Sequence, residues 1–163
     1  MKVIGIDPGT AACGYAIVRG KGNRLTALDH GWWKTGAAQR PQVRLGRIFD
    51  GVTQLIEDYR PDAVALEESF VGADARTALS VGQARGAILV ACELAGVEAV
   101  EYAPAQVKQA VCGYGRAEKA QIQRMVQAIL RLDAPPEPSH AADALAVGIC
   151  HALAPPLLKA VSA

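Results

Sequence analysis

Three carboxylates and one imidazole occupy positions that suit metal-dependent hydrolysis. Asp7 directly follows the apolar run 3–6, and Glu67 directly follows a second apolar run. His140 and Asp143 lie three residues apart, which places them on one face of a helix. Carboxylates that converge repel one another unless a cation neutralises them. Clusters of this kind suit Mg²⁺ or Mn²⁺, and pairs of such ions activate water for phosphodiester cleavage.

Each of these residues also has a plainer interpretation. Asp7 precedes Pro8 and Gly9, and an aspartate at such a site often caps a turn through its own backbone. Glu68 leaves the position of the second acid open by one residue, and His140 could be an exposed residue in the first turn of a helix. Spacing alone therefore leaves both a metal site and a set of unrelated structural residues open.

The hydrophobic pattern predicts an α/β fold that would hold these residues. Short apolar runs predict strands, and apolar residues three and four apart predict helices. The predicted strands cover 3–6, 13–18, 25–34, 62–67 and 97–102. The predicted helices cover 41–60, 75–94, a segment opening at Pro104, 117–130, and a last helix reaching about residue 153 with Ser139 as its N-cap. This order predicts a five-stranded mixed sheet, an antiparallel three-strand meander plus two parallel strands, flanked by helices.

The predicted sheet would bring the acidic residues together. Ligands of open α/β sheets gather at the carboxyl ends of strands, where Asp7 and Glu67 stand. Their strands would be neighbours if the chain crosses back beside its first strand. The tract 139–146 is rich in small residues, so the last helix could lie close to the sheet and add His140 and Asp143 to the same point.

Composition restricts the class of protein. The chain has 163 residues, 51% hydrophobic and 20% charged, which predicts one domain over residues 1–155 and a short, frayed tail over 156–163. With a net charge of +1, any nucleic-acid surface must be a local basic patch. No apolar run approaches the roughly 18 residues that span a bilayer, and no signal-peptide pattern opens the chain. The four scattered cysteines predict reduced packing residues, and we expect a cytoplasmic protein with no membrane partner.

Several ungapped motifs in order extend over nearly the whole chain. They are GIDPGT at 5–10 with Gly14 and Tyr15, ALE at 65–67 with Phe70, VGQARG at 81–86, QVKQ at 106–109 with Gly113, AEK at 117–119, and AADALA at 141–146. With these motifs the sequence resembles the RuvC-type Holliday junction resolvases of the RNase H-like superfamily. The resemblance implies a homodimeric endonuclease of recombinational repair that nicks two opposing strands of a four-way DNA junction symmetrically. It also implies a divalent metal, Mg²⁺ or Mn²⁺, with two ions per active site, and a branch-migration helicase as partner.

The resemblance assigns the catalytic, metal-binding positions to Asp7, Glu67, His140 and Asp143. Glu67 is preferred to Glu68 because it follows Ala-Leu directly, as the family's glutamate does. Many members carry aspartate where this chain has His140. Imidazole is neutral above its usual pKa of about 6.5 and is softer than carboxylate, so we expect His140 to shift the preference from Mg²⁺ towards Mn²⁺.

Cations after the predicted fifth strand form a local basic patch of Lys108, Arg116, Lys119 and Arg124. The patch could be an ordinary solvated helix face, but the resemblance places Lys108 and Lys119 close to the scissile phosphate. The resemblance also suggests that Phe70 stacks on or wedges between bases at the junction centre, where the alternative is that it packs in the core.

Gly82 and Gly86 lie four apart in a helix rich in alanine and glycine. Small residues permit close approach, and packing on the chain's own sheet is the simplest interpretation. The resemblance instead places the dimer interface here, where a two-fold axis would set two active sites for symmetric cutting.

Other functions remain open on the sequence. The segment 7–10 with Gly14 also resembles the phosphate loop of the actin and sugar-kinase ATPases, which need two such domains and a second glycine-rich loop. The acids could be structural in a non-catalytic junction-binding protein. A different RNase H-like nuclease, for branched DNA or RNA/DNA hybrids, would use the same acids because they serve any phosphodiester.

Overall fold

The computed structural model describes residues 1–36, 38–68 and 75–154. The predicted tail 156–163 and Phe70 lie outside the described residues. The strands are β1 (Lys2–Asp7), β2 (Ala12–Lys21), β3 (Arg24–Lys34), β4 (Ala63–Glu67) and β5 (Ala99–Tyr102). The helices are α1 (Pro41–Tyr59), α2 (Ala75–Ala95), α3 (Pro104–Cys112), α4 (Lys119–Leu130) and α5 (Ser139–Leu153).

The strands form one mixed sheet in the order β3-β2-β1-β4-β5. β2 pairs antiparallel with β1 and with β3, and β4 pairs parallel with β1 and with β5. The predicted antiparallel meander with two added parallel strands is therefore confirmed. The consequence for the site is that β1 and β4 are neighbours running in the same direction, so their carboxyl ends meet at one edge of the sheet.

Helices cover both faces of this sheet and enclose two separate cores. Ile4, Ile6 and Leu66 point into the core that α1 and α2 cover. Val3 and Ala65 point into the core that α4 and α5 cover. Successive strand residues alternate between the two faces, so apolar residues at consecutive positions are needed, and this explains the continuous apolar runs of β1 and β4.

Glycines let α5 lie directly against β1 and β2. A Cβ atom on Gly5 would stand 2.2 Å from the carbonyl oxygen of Ala144, and one on Gly14 would stand 2.0 Å from that of His140. Neither distance is compatible with any side chain, so only glycine permits this contact. The predicted close packing of the last helix on the sheet is confirmed, and it brings the first turn of α5 to the end of β1.

The predicted N-cap of α5 is wrong by one residue. Ser139 is the first residue of the helix, and Pro138 occupies the cap position without a side-chain cap bond. The reason is that the Pro138 carbonyl already accepts hydrogen bonds from the N–H groups of Ala141, at 2.9 Å, and Ala142, at 3.3 Å. α4 likewise begins at Lys119, two residues later than predicted, because Glu118 has an extended backbone.

One face of α2 is apolar and exposed. Leu79, Val90 and Leu94 are 66%, 52% and 75% exposed, whereas Ala84 and Ile88 on the opposite face are buried. Cβ atoms placed on Gly82 and Gly86, which lie on the exposed face, would meet no atom within 4 Å. The interpretation that these glycines pack on the chain's own sheet is therefore wrong. Contrary to the expectation from the sequence, α2 is by length and composition alone the one helix in the described part of the chain that could span a bilayer, with 22% of its apolar window buried.

Candidate active site

Asp7 and His140 form the centre of the site. Asp7 is the last residue of β1, and His140 stands in the first turn of α5. Because a carboxylate can only accept hydrogen bonds, the Nδ1–H of His140 donates to Asp7 Oδ2, at a distance of 2.8 Å. The structure thus joins two residues that are 133 positions apart in sequence.

Glu67 and Asp143 stand beside this pair and line a groove of about 260 Å³ together with Lys108 and Lys119. Glu67 ends β4, which is in parallel register with β1 through Ile6 and Leu66. Asp143 Oδ2 accepts a hydrogen bond of 2.8 Å from Lys119 Nζ. A lysine in the first turn of a helix opposes the helix dipole, and its ion pair with Asp143 offsets that penalty.

The structure separates Glu67 from Glu68. The charges of Asp7 and Asp143 act on Glu67 and raise its pKa. Glu68 is exposed, and its charge acts instead on Arg85, whose guanidinium holds Glu101 in a bidentate pair. Adjacent side chains at the end of a strand point in opposite directions, so only one of the two glutamates can face the site.

Burial and mutual repulsion perturb the acids of the site. Burial raises the pKa of Asp7, and the negative charge of Asp143 raises it further. The hydrogen bond from His140 lowers this pKa and so opposes both effects. Burial, and then the charges of Asp7 and Asp143, raise the pKa of Glu67 to about 7, against the opposing effect of Lys108 and Lys119. A cleft with carboxyls perturbed in this way is a candidate functional site on physical grounds.

Replacing Glu67 by glutamine is expected to stabilise the metal-free protein at neutral and alkaline pH. The folded carboxyl, with a pKa of about 7 against an ordinary 4.5, binds its proton more tightly than the unfolded one, so the free energy of unfolding falls as pH rises across that interval. Glutamine removes this loss, which we expect to be about 2 kcal/mol once solvent screening at the partly exposed site is allowed for. Urea unfolding in EDTA at pH 5 and pH 8 measures it. The prediction would be contradicted if the free energies of unfolding of the wild type and the variant differed by the same amount at both pH values.

The donor set of the site fits a hard divalent cation. In residues 1–36, 38–68 and 75–154, no three His, Cys, Asp or Glu side chains stand close enough to enclose an ion by themselves. Mg²⁺ does not require such a cage, because it keeps several waters and binds through one or two carboxylates plus substrate phosphates. Glu67 and Asp143 line one groove and repel each other, so they can supply these carboxylates to a cation that relieves the repulsion.

The predicted DNA-facing residues divide into two groups. Lys108 on α3 and Lys119 on α4 both line the groove with Glu67 and Asp143. Arg116 is exposed in the segment between these helices and is not among the groove residues. Phe70, which is also predicted to contact DNA, lies outside the described residues.

Sequence reasoning missed a polar cluster behind the turn that carries Asp7. Arg44 of α1 donates to Thr10, which is three residues after Asp7, and to Thr35. These residues are distant in sequence, and an arginine on a helix gives no local signal of its partners. The only available signal was the presence of Thr10 in the motif at 5–10.

The model of the family described as "Crossover junction endodeoxyribonuclease RuvC" matches residues 3–151. The chain belongs to the RuvC family. The crossover junction endodeoxyribonuclease RuvC of Rubrobacter xylanophilus is 53% identical over 150 residues, which are 92% of this chain and 84% of that protein. The RuvC structure from Thermus thermophilus has 43% sequence identity and a TM-score of 0.86, with 93% of each chain covered. T. thermophilus RuvC in complex with a Holliday junction substrate gives a TM-score of 0.89 at the same identity and coverage.

Proposed function

We propose that this chain resolves Holliday junctions as a metal-dependent endonuclease that nicks two opposing strands symmetrically. The observation that carries the proposal is the meeting of Asp7, Glu67, His140 and Asp143 at one edge of the sheet, beside two lysines. Membership of the RuvC family supports it, as does the junction complex of T. thermophilus RuvC. An intracellular location, where junction DNA is found, and a branch-migration helicase as partner belong to the same proposal.

Within this proposal, the three carboxylates and the imidazole of the site bind metal. Asp7, Glu67 and Asp143 would hold two divalent ions, Mg²⁺ or Mn²⁺, with His140 as a fourth donor. When bound, these ions supply Lewis-acid polarisation of the phosphoryl group and an activated water.

The cationic residues of the proposal bind the substrate. Lys108 and Lys119 would hold phosphates at the groove, and Arg116 would contact the backbone beyond it. Phe70 would stack on a base at the junction centre.

A product map tests the function against its alternatives. Synthetic four-way junction, flap, duplex and RNA/DNA hybrid substrates are incubated with the protein in Mg²⁺ and in Mn²⁺. We expect paired nicks at symmetric positions in the junction and little cleavage of the others. Preferential cleavage of flaps or hybrids would favour another RNase H-like nuclease, and junction binding without nicking would favour a non-catalytic module.

Replacing His140 by aspartate is expected to shift the metal preference towards Mg²⁺. The substitution adds one negative charge and a harder donor beside Asp7, and Mg²⁺ prefers oxygen ligands. We expect the ratio of nicking rates in Mn²⁺ and Mg²⁺ to fall about tenfold, equivalent to about 1.4 kcal/mol. Metal titrations of the wild type and the variant measure the ratio. Identical ratios would show that His140 does not set the metal preference.

The exposed apolar face of α2 supports homodimer formation as part of the proposal. Leu79, Val90 and Leu94 share this face with Gly82 and Gly86, where open space would admit a second helix. Isologous contact of two copies would relate the active sites by a two-fold axis, as symmetric nicking requires.

Replacing Val90 by glutamate is expected to weaken the dimer about 100-fold. Two unpaired carboxylates would be buried near the axis, at a cost of about 3 kcal/mol. Sedimentation across a concentration series measures dissociation, and nicking should change from paired to independent cuts. The matched control is Leu28→Glu on the edge strand β3, where leucine is also exposed and no change is expected. A Val90→Glu protein that remains a dimer at wild-type concentrations would exclude this face as the interface.

A further inference from the structure

Four polar side chains form a cluster beside residues 7–10, which we call the catalytic turn. We call this group the Arg44 cluster, and its members are Thr10, Thr35, Arg44 and Ser80. Arg44 Nε donates to the Thr10 carbonyl at 3.1 Å and to Thr35 Oγ1 at 3.2 Å, and Arg44 Nη2 donates to Thr10 Oγ1 at 3.0 Å. The Thr35 hydroxyl also donates to the Thr10 carbonyl. The hydroxyls of Thr10 and Ser80 hydrogen-bond to each other. Thr10 is therefore held from three sides, by α1, by α2 and by the end of β3.

The two threonines of the cluster are buried, so the geometry around them is strongly specified. Thr10 and Thr35 are 8% and 4% exposed. Buried polar groups keep their hydrogen bonds, because an unpaired buried group costs free energy. Arg44 satisfies two separate oxygen atoms of Thr10 with one planar guanidinium. Lysine carries a single ammonium group and cannot reproduce that fork.

The turn between Thr10 and Asp7 has little freedom to absorb a displacement. Proline fixes the backbone dihedral φ at position 8. A Cβ atom on Gly9 would stand 2.3 Å from the Ala12 carbonyl oxygen, which shows how tightly this turn folds on itself. A groove of about 450 Å³ has Asp7, His140, Thr10 and Arg44 in its wall, so the cluster adjoins the active site directly.

We infer that Arg44 is a positioning residue that sets the location of the Asp7 carboxylate through Thr10. The inference rests on the proposed function for its activity readout. Arg44 lines the groove beside Asp7, and its Nε and Nη2 both donate to threonine oxygens. Ser80 extends the cluster to α2, next to Leu79 of the exposed apolar face, so the same contacts tie the catalytic turn to the proposed dimer helix.

Two substitutions of different chemistry test the inference. Arg44→Lys keeps the charge and removes the fork, and Thr10→Val keeps the shape and removes the hydroxyl. We expect single-turnover nicking at saturating junction to fall about 30-fold in each, since misplacement of a reacting group by 1 Å can cost about 100-fold. Junction affinity in EDTA and its salt dependence should stay within about twofold of wild type, which corresponds to less than about 0.5 kcal/mol. Thr10→Ser, which restores the hydroxyl, should recover most of the rate.

A control variant and a second measurement separate a positioning role of Arg44 from other causes of lost activity. Arg47→Lys, at an exposed position on α1, should behave as wild type. Mn²⁺ affinity without DNA, measured by titration calorimetry, should fall about tenfold in Arg44→Lys because Asp7 is displaced. If the wild type nicks no junction, the proposed function fails and the inference is judged on Mn²⁺ affinity alone. Unchanged nicking and Mn²⁺ affinity would overturn the inference. So would a loss explained entirely by weaker junction binding with a smaller salt dependence, because Arg44 would then be a phosphate ligand.

Discussion

Replacing Asp7 by asparagine is expected to lower the rate of junction nicking by at least about 1,000-fold, equivalent to about 4 kcal/mol of transition-state stabilisation. Asp7 is the residue on which the site converges, since His140 donates to it and the charges of Asp143 and Lys119 act on it. Asparagine has the same shape but cannot neutralise a divalent cation. Nicking assays at saturating metal and junction measure the effect.

Junction binding by the Asp7→Asn protein should be retained or slightly stronger, because the substitution removes a negative charge close to phosphate. The matched control is Asp50→Asn, which replaces an exposed aspartate on α1 and should leave nicking unchanged. Wild-type nicking by Asp7→Asn would remove Asp7 from the catalytic centre, whatever the outcome for the other acids.

Replacing Gly14 by alanine is expected to impair both stability and nicking. The new methyl group would stand 2.0 Å from the carbonyl oxygen of His140, so the first turn of α5 must move away from the sheet. We expect the free energy of unfolding to fall by about 3 kcal/mol, as for an overpacked core. Nicking should fall about 100-fold, because α5 carries His140 and Asp143 away from Asp7. Urea unfolding and single-turnover nicking measure the two effects.

A glycine without close neighbours provides the control for this substitution. A Cβ atom on Gly46 in α1 would meet no atom within 4 Å, and alanine favours helix over glycine by about 1 kcal/mol. Gly46→Ala should therefore be as stable as the wild type or more so, with full nicking. If Gly14→Ala were equally harmless, the close contact between α5 and β2 would not position the site.

The sheet could be predicted because its determinants are local. Continuous apolar runs identify β1 and β4 as strands buried on both faces, and apolar residues three and four apart identify α1 and α4. Chain order and the right-handed crossover rule predict that β4 and β5 are added in parallel, and the structure shows that β4 lies beside β1. The meeting of Asp7 and Glu67 follows from this topology, since both end parallel neighbouring strands.

The last helix was predictable for a steric reason. Small residues over 139–146 indicated close approach to the sheet, and the glycines at positions 5 and 14 on the strands complete that contact. The N-cap was not predictable to one residue, because the carbonyl of Pro138 replaces a side-chain cap. Helix ends depend on single hydrogen bonds, whereas helix interiors depend on a repeated pattern.

By itself, the sequence determined the order of the elements, the sheet that they form and the family to which the chain belongs. Only the tertiary structure decided which glutamate faces the site, because the direction of a side chain at a strand end depends on the final register. It also decided that Gly82 and Gly86 face open space, since a small residue permits close packing without saying what packs there. The Arg44 cluster belongs wholly to the tertiary structure. Its hydrogen bonds join α1, α2 and the turn that follows Asp7 across 34 and 70 residues of sequence, and no local pattern encodes partners at that separation.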